Sequence, residues 1–149
     1  MKNKNKIHFI PIFAFNTANI KMTKAMEIYE NQQIKMEIID GIIHAHYKAG
    51  LKITLPDAKT IVAERLKLLK SRVLPGLVLD GGVVSMDKAA RDYFSSPEGI
   101  QGLKSVAIVE NSFFSKMLIN FFMRITNASI KVKAFSNEVE ALEWLKKDA

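Results

Sequence analysis

The positions of apolar and polar residues from Met26 onward predict a regular alternation of strands and helices. Ile34, Met36 and Ile38 alternate with polar residues, as in a half-buried strand. Asp40-Gly41 follows, a dipeptide typical of two-residue hairpin turns, and residues 42–48 form the returning strand. The apolar runs 74–79 and 105–109 have the pattern of central strands buried on both faces, and residues 130–135 form the last strand.

Between these strands, capping residues followed by apolar residues at helical spacing predict helices. Thr54 is expected to cap the first helix, with Pro56 in its first turn and Arg65 on its outer, polar side. Ser85 is expected to cap a second helix that holds Asp87 in its first turn. Further helices are predicted to begin near residues 96, 112 and 137.

This order of elements predicts an α/β fold, because strands separated by helices pair in parallel through right-handed crossovers. We expect a mixed five-stranded sheet, with the antiparallel hairpin first and parallel strands after it. About four helices are expected to cover its faces. Residues 26–149 are long enough for one domain with a single core.

Residues 1–25 differ from the rest of the chain and predict a basic leader without regular structure. Lys2, Lys4 and Lys6 precede a short apolar patch that is interrupted by a proline. The favoured interpretation is an upstream start codon, with the domain itself beginning at Met22 or Met26. A secretory signal and an arm that touches a membrane are the alternatives. The patch is too short to span a bilayer.

The net charge of +7 belongs mainly to this leader. Five of the 22 basic residues and none of the 15 acidic residues lie in residues 1–26, so the remaining 17 basic residues nearly balance the acids. No basic stripe of the kind that neutralises phosphates follows, and we expect no nucleic-acid partner. The chain has no cysteine, which excludes disulfides and thiolate sites and fits the cytoplasm, where we expect the protein to act.

One segment carries a family resemblance. Residues 78–94 contain Val-Leu-Asp-Gly-Gly and then Ser-Met-Asp-Lys-Ala-Ala-Arg-Asp-Tyr-Phe, and similar runs follow at 106–109, 120–122 and 135–145. Together these residues resemble the STAS/SEC14-like proteins, small bacterial domains distantly related to anti-sigma-factor antagonists. The resemblance covers roughly residues 30–147. It implies a STAS-like fold, whose better-known members are phospho-regulated protein-binding modules or lipid-binding folds.

The resemblance also implies a docking edge at the start of the second helix. STAS antagonists place a phosphorylatable Ser or Thr directly after an Asp that Asp87 matches, but the next residues here are Lys88 and Ala89. We therefore expect a docking module without the usual switch residue. The residues predicted to bind a partner or ligand are Asp80, Ser85, Asp87 and Arg91.

Candidate catalytic chemistry centres on Asp80, which ends an apolar strand. The nucleophilic aspartates of haloacid-dehalogenase-like phosphatases and response-regulator receivers do the same. Those reactions need a second acid to hold a divalent cation, and where the phosphatases place it, this chain has Gly82. No phosphate-loop or nucleophile-elbow motif is present. We predict no catalytic residues, and Asp80 is interpreted as a turn-forming acid.

His44 and His46 share a strand face and could in principle grip a metal ion. They lack a third ligand, and Lys48 on the same face repels a cation. A polar, solvent-facing surface is the preferred interpretation, and no metal or cofactor is predicted.

The helix predicted at residues 112–125 is apolar on nearly all sides, which is more than its own sheet can cover. It is either deeply buried or a contact surface for a second subunit, another protein or an acyl chain. The residues predicted to form this apolar interface or pocket are Phe113, Phe114, Met117, Phe121 and Phe122.

Two functions follow from these predictions. The first is a non-catalytic interaction or regulatory module that binds a protein partner or a second copy of itself. The alternative is a carrier or sensor for a small apolar or lipid ligand. Neither requires a transmembrane segment, and none is predicted.

Overall fold

The computed structural model describes residues 6–10, 26–109, 116, 120 and 129–147. In these ranges the elements follow one another in a regular order. They are β1 (Lys6–Ile10), β2 (Met26–Glu30), β3 (Ile34–Ile39), β4 (Ile42–Tyr47), β5 (Lys52–Ile53), α1 (Leu55–Leu69), β6 (Leu74–Asp80), β7 (Ser85–Met86), α2 (Lys88–Ser95), α3 (Pro97–Ile100), β8 (Leu103–Val109), β9 (Lys131–Phe135) and α4 (Glu138–Lys147).

Seven of the described strands form one mixed sheet in the order β1-β2-β3-β4-β6-β8-β9. Strands β1 to β4 pair antiparallel, and β4, β6, β8 and β9 pair in parallel. The short strands β5 and β7 form a separate parallel pair. The predicted architecture, an antiparallel hairpin followed by parallel strands with helices between them, is therefore confirmed. The sheet is wider than the predicted five strands because β1 and β2 extend its antiparallel side.

Strand β2 was not anticipated from the sequence pattern. Its Tyr29 is fully buried, and Asn31 joins β2 to β3 by accepting hydrogen bonds from the backbone N–H groups of Gln33 and Ile34, each 2.8 Å long.

The leader expected at residues 1–25 supplies β1, which pairs with β2. The other leader residues lie outside the described ranges.

The predicted hairpin turn is present at Asp40-Gly41. Both residues have positive φ angles, 49° and 76°, and Ile39 pairs with Ile42 across the turn. This geometry belongs to the mirror-image type I turn, whose twist matches that of the flanking strands. The turn fixes the register of β3 against β4, and so it decides which side chains face each layer of the molecule.

The sheet separates two hydrophobic layers. One face packs against α1 and α2 through a cluster that includes Tyr29, Met36 and Val62. The other face packs against α4, where Ala141 and Leu145 are fully buried. Residues of β8 are buried on both sides of the sheet, Ile108 towards α1 and Ala107 towards α4, as its continuous apolar sequence predicts.

The starts of α1 and α3 lie where the capping residues predict them. The backbone N–H and the hydroxyl of Thr54 both donate to the carboxylate of Asp57, at 2.9 and 2.8 Å. The Ser96 hydroxyl accepts from the N–H of Gly99 at 3.1 Å. The bonds from the N–H groups of Thr54 and Gly99 satisfy backbone donors that the first helical turn leaves without a partner.

The start of α2 differs from the prediction. Ser85 does not cap this helix, because it lies in β7 and is held extended by its pairing with Lys52 of β5. The helix begins two residues later than predicted, and Asp87 is its cap. One carboxylate oxygen of Asp87 accepts from the N–H of Ala90 at 2.7 Å.

Strand β9 closes the parallel side of the described sheet. Two of its residues, Lys131 and Lys133, are exposed, whereas Phe135 is buried and its ring lies 5.7 Å from that of Trp144. Lys133 extends along the strand, with its ammonium group 5.2 Å from the centre of the Phe135 ring.

Candidate functional site

A cavity of about 300 Å³ lies between the sheet and the helices on the α1 side. Its floor is formed by apolar side chains of the central strands and by Gly76 of β6. The residues that line it from the sheet include Ile43, Gly76, Val78, Val106, Ile108 and Val132. The residues that line it from the helices and their connection include Ile61, Arg65, Phe94, Pro97 and Ile100.

Gly76 allows neighbouring side chains to pack closely over β6. A Cβ atom at this position would lie 3.1 Å from a methyl group of Leu103 and 3.7 Å from one of Ile43. Both of those residues also line the cavity. Val78, two residues further along β6, is only half-buried although its strand is central in the described sheet. Leu79, which faces the opposite side of the sheet, is half-buried as well.

Arg65 is the charged side chain that α1 contributes to this cavity. The prediction that it lies on the outer side of α1 is wrong, since it is only 8% exposed. The physical reason is its spacing: Ile61 and Leu69 lie four residues before and after it, so all three share the buried stripe of the helix. Burial lowers the pKa of Arg65 from its usual value, while the nearby Tyr47 acts in the opposite direction.

The guanidinium group of Arg65 is bound only to carbonyl oxygens. Its Nη2 atom donates to Gly99 at 2.5 Å and to Gln101 at 3.2 Å, at the carboxyl end of α3. Its Nε atom has no hydrogen-bond partner. The ion pairs formed between described residues include none with Arg65. Among the described residues, this buried positive charge therefore lines the cavity without a carboxylate at ion-pair distance.

Tyr47 and Asp80 lie side by side on β4 and β6, at the carboxyl end of the parallel strands, and both line the cavity. Burial raises the pKa of Tyr47 to about 12. Its hydroxyl is therefore protonated at physiological pH and able to donate a hydrogen bond. Together with Arg65, it supplies donor groups to a cavity whose surface is otherwise mostly apolar.

Asp80 builds the turn that leaves β6. Its Oδ1 atom accepts from the backbone N–H groups of Gly82 and Val83, each at 2.8 Å. Gly81 is the close-packed residue of this turn: its N–H donates to the carbonyl of Tyr47 at 2.7 Å, and a Cβ atom there would lie 2.1 Å from that oxygen. The interpretation of Asp80 as a turn-forming acid agrees with these contacts.

The turn leads into a four-residue segment whose two end residues line the cavity and whose two middle residues are exposed. We call residues 83–86 the edge segment. Val83 and Met86 are buried and line the cavity, whereas Val84 is 60% exposed and Ser85 is exposed between them. A backbone bond from Val84 to the carbonyl of Leu51, 2.8 Å long, holds the segment beside β5.

The four residues predicted to bind a partner or ligand occupy different positions along this edge. Asp80 is buried and lines the cavity, Ser85 lies on the exposed side of the edge segment, and Asp87 caps α2. Arg91 lies one turn into α2, and its Nη1 atom donates to the carbonyl of Met86 at 3.0 Å. Their role in binding stays a prediction. The five residues of the predicted apolar interface, Phe113, Phe114, Met117, Phe121 and Phe122, lie outside the described residues.

The histidine pair lies on the other face of the sheet, away from the cavity. The rings of His44 and His46 are stacked with centroids 6.3 Å apart, and His46 lies 3.7 Å from a carboxylate oxygen of Glu37. His44 is only 6% exposed, so the expectation that it faces solvent is wrong. Burial, followed by the neighbouring His46, lowers its pKa. The part of the chain that the structure describes holds no cluster of three metal-ligating side chains.

The sequence signals for the cavity were weak. The burial of Arg65 could have been predicted, because a charged residue four positions from two apolar ones lies on the same stripe of the helix. The cavity itself could not, since its lining comes from strands and helices that are far apart in the chain.

The sheet order, the crossovers and the edge segment define a STAS-like α/β domain. The chain belongs to the family described as "Domain of unknown function (DUF7793)", whose sequence profile matches residues 36–148. Among solved structures, it is similar to the crystal structure of an uncharacterized DUF3478 protein with a SpoIIAA-like fold from Shewanella loihica PV-4. The two share 17% identity at a TM-score of 0.52, over 83% of this chain and 97% of the other. The resemblance to STAS-like proteins is thereby confirmed for the fold.

No curated protein matches this chain. None of the helices among the described residues combines the length and the apolar character needed to cross a bilayer.

Proposed function

We propose that the domain is a non-catalytic regulatory module of the STAS-like type that binds a small apolar ligand in its cavity. The observation that carries this proposal is the cavity itself, about 300 Å³ in volume and lined mainly by apolar side chains. Pockets of roughly 300–1,000 Å³ that are apolar with a few polar groups are typical of small-molecule sites. From the sequence, a protein-binding module was the favoured function and ligand binding was the alternative. We combine the two in one regulatory module that binds a ligand.

The contacts of Asp80 support a function without catalysis. The Oδ1 atom of this carboxylate is occupied by two backbone N–H groups of the turn, which is a structural role. The residues after Asp87 support regulation by a ligand rather than by phosphorylation. Lys88 occupies the position after this cap, and its ammonium group pairs with Asp92 at 2.6 Å on the helix surface.

The test fills the cavity and measures ligand binding. Decanol is titrated into the wild-type protein and into Val78→Phe by calorimetry. Because Val78 lines the cavity, the larger ring occupies the volume that the ligand needs. We expect its affinity for decanol to fall by about tenfold or more.

Leu79→Phe is the matched control. Leu79 is the next residue on the same strand, but it faces the opposite layer and packs against the cluster beneath α4. This variant is expected to bind decanol as the wild type does. Equal binding of decanol by Val78→Phe and the wild type would show that the cavity is not the binding site.

Docking of a protein partner on the edge segment is a second candidate function. The observation that favours it is the order of residues in the edge segment, where two exposed residues lie between two residues that line the cavity. A ligand that contacts Val83 or Met86 would therefore also affect the surface formed by Val84 and Ser85. Occupancy of the cavity could be sensed by a partner in this way.

A further inference from the structure

The charge on Arg65 is the feature of the cavity that its apolar lining does not explain. The side chain is 8% exposed and lines the cavity, yet it makes hydrogen bonds only through Nη2, to two carbonyl oxygens. Nε has no partner. Buried charges in proteins are normally paired with an opposite charge, because transfer of an unpaired ion out of water is costly.

A comparison within the same chain shows what Arg65 lacks. Arg72 also donates to backbone carbonyls, those of Leu68 and Leu69, but its guanidinium in addition pairs with the carboxylate of Glu27 at 2.5 Å. Arg65 makes the carbonyl contacts and has no carboxylate in the same role among the described residues. Its position on the wall of a cavity leaves the place of an anion to a ligand.

Resting on the proposed function, we infer that the cavity takes a single-chain amphiphile with a carboxylate head, and that this head is the counter-ion of Arg65. Nη2 is already bonded to two carbonyl oxygens and Nε is enclosed by protein atoms, so a carboxylate would accept from Nη1, the remaining donor of the guanidinium. Tyr47 lines the same cavity, and its hydroxyl can act as a further donor. The carboxylate of Asp80 also lines the cavity and would repel an anion, which places the head group towards Arg65 rather than towards the Asp80 turn.

The size of the cavity limits the tail of this ligand. A volume of about 300 Å³ lies at the lower end of the range for small-molecule sites, so it suits one medium-length chain and not a two-chain lipid. The apolar residues of β6 and β8, such as Val78 and Ile108, would contact this tail.

The experiment compares two ligands that differ only in their head group. Decanoate and decanol are titrated by calorimetry, below their aggregation concentrations, into the wild type, Arg65→Met and Arg65→Lys. We expect the wild type to bind decanoate at least about tenfold more tightly than decanol. Arg65→Met should lose this preference while it retains decanol binding, and Arg65→Lys should keep part of it.

Arg72→Met is the matched control, because it removes an arginine with similar carbonyl contacts that does not line the cavity. It should retain the full preference for decanoate. If Arg65→Met does not fold, as judged by circular dichroism, the ratio measured on the wild type and on Arg65→Lys decides the question.

The outcomes separate this inference from the proposed function. Equal affinity of the wild type for decanoate and decanol would overturn the role of Arg65 and leave apolar ligand binding in place. A decanoate preference that survives in Arg65→Met would do the same. Binding of neither ligand would overturn both.

Discussion

At the scale of single residues, Asp80 shows how a carboxylate at the end of a parallel strand can serve structure alone. One of its oxygens accepts two backbone hydrogen bonds and so shapes the turn between β6 and the edge segment. Asp80 itself is only 5% exposed, so these bonds replace water that the carboxylate has lost.

Two substitutions of Asp80 test whether the turn requires a hydrogen-bond acceptor or a negative charge. Asp80→Ala removes the acceptor and leaves two N–H groups without a partner, which should lower the free energy of unfolding by about 1–3 kcal/mol. Asp80→Asn retains the Oδ1 acceptor and should cost less than half as much. Urea unfolding followed by circular dichroism measures both. An equal loss in the two variants would mean that the charge, and not the acceptor, is what the turn requires.

Arg65 was wrongly predicted to lie on the surface, and the turn formed by Asn31 was not predicted. The prediction treated arginine as a surface residue, whereas its spacing from Ile61 and Leu69 places it in the buried stripe of α1. Asn31 carries a turn that joins β2 to β3, and side-chain acceptors of this kind are recognisable in a sequence. The helical spacing of Arg65 and the turn preference of Asn31 were both present in the sequence. Both conflict with the simpler rule that polar residues face solvent.

At the scale of elements, strand β2 is tied to the carboxyl end of α1 by a charged cluster. Glu27 of β2 accepts from Lys70 at 2.6 Å and from Arg72 at 2.5 Å. Lys70 also caps the end of α1 in a left-handed backbone conformation, with its N–H donating to the carbonyl of Leu66. The hydrogen bond from Lys70 is the largest influence on the carboxylate, and together with Arg72 it lowers the pKa of Glu27 below the ordinary value of 4.5.

This shift predicts a pH dependence of stability. Because the pKa of Glu27 is depressed by folding, its contribution is complete above about pH 4.5 and is lost as the pH falls through the folded value. Glu27→Gln should lower the free energy of unfolding by about 1 kcal/mol at pH 7, since both partners are partly exposed. The difference from the wild type should shrink below pH 4.5, as measured by urea unfolding from pH 7 to pH 3.

Glu143→Gln, which changes an exposed acid of α4, is the control for the loss of one negative charge. It should leave stability nearly unchanged at every pH. A difference between Glu27→Gln and the wild type that stayed constant down to pH 3 would contradict the ionic origin of the effect.

The elements themselves were largely predictable, and for physical reasons. Alternation in β3, the Asp40-Gly41 turn and the continuous apolar runs of β6 and β8 are local signals, and local signals survive in the sequence. The start of α2 was misplaced by two residues because the pairing of Ser85 with Lys52 is a contact between distant parts of the chain. Tertiary pairing of this kind overrides a capping preference.

At the scale of the whole molecule, the edge segment is the surface on which we propose that a partner docks. Val84→Asp places a charge on this surface and should weaken a partner complex, or self-association, by about tenfold or more. Native-host pull-down with mass spectrometry, together with sedimentation analysis of the pure protein, measures the two cases.

Val139→Asp is the matched control for this prediction. Val139 is as exposed as Val84, at 67% against 60%, but it lies on α4 on the other side of the sheet. It should retain every interaction of the wild type. Retention of the same partners by Val84→Asp would show that the edge segment is not a docking surface.

The exposed lysines of β9 have a consequence for the behaviour of this protein at high concentration. A strand at the margin of a sheet offers unpaired backbone groups on which a foreign chain can stack, and charged side chains at that margin oppose such growth. Lys131 and Lys133 lie on the last described strand of the parallel side. Replacement of both by isoleucine would remove these charges and leave an apolar margin, which favours fibril formation.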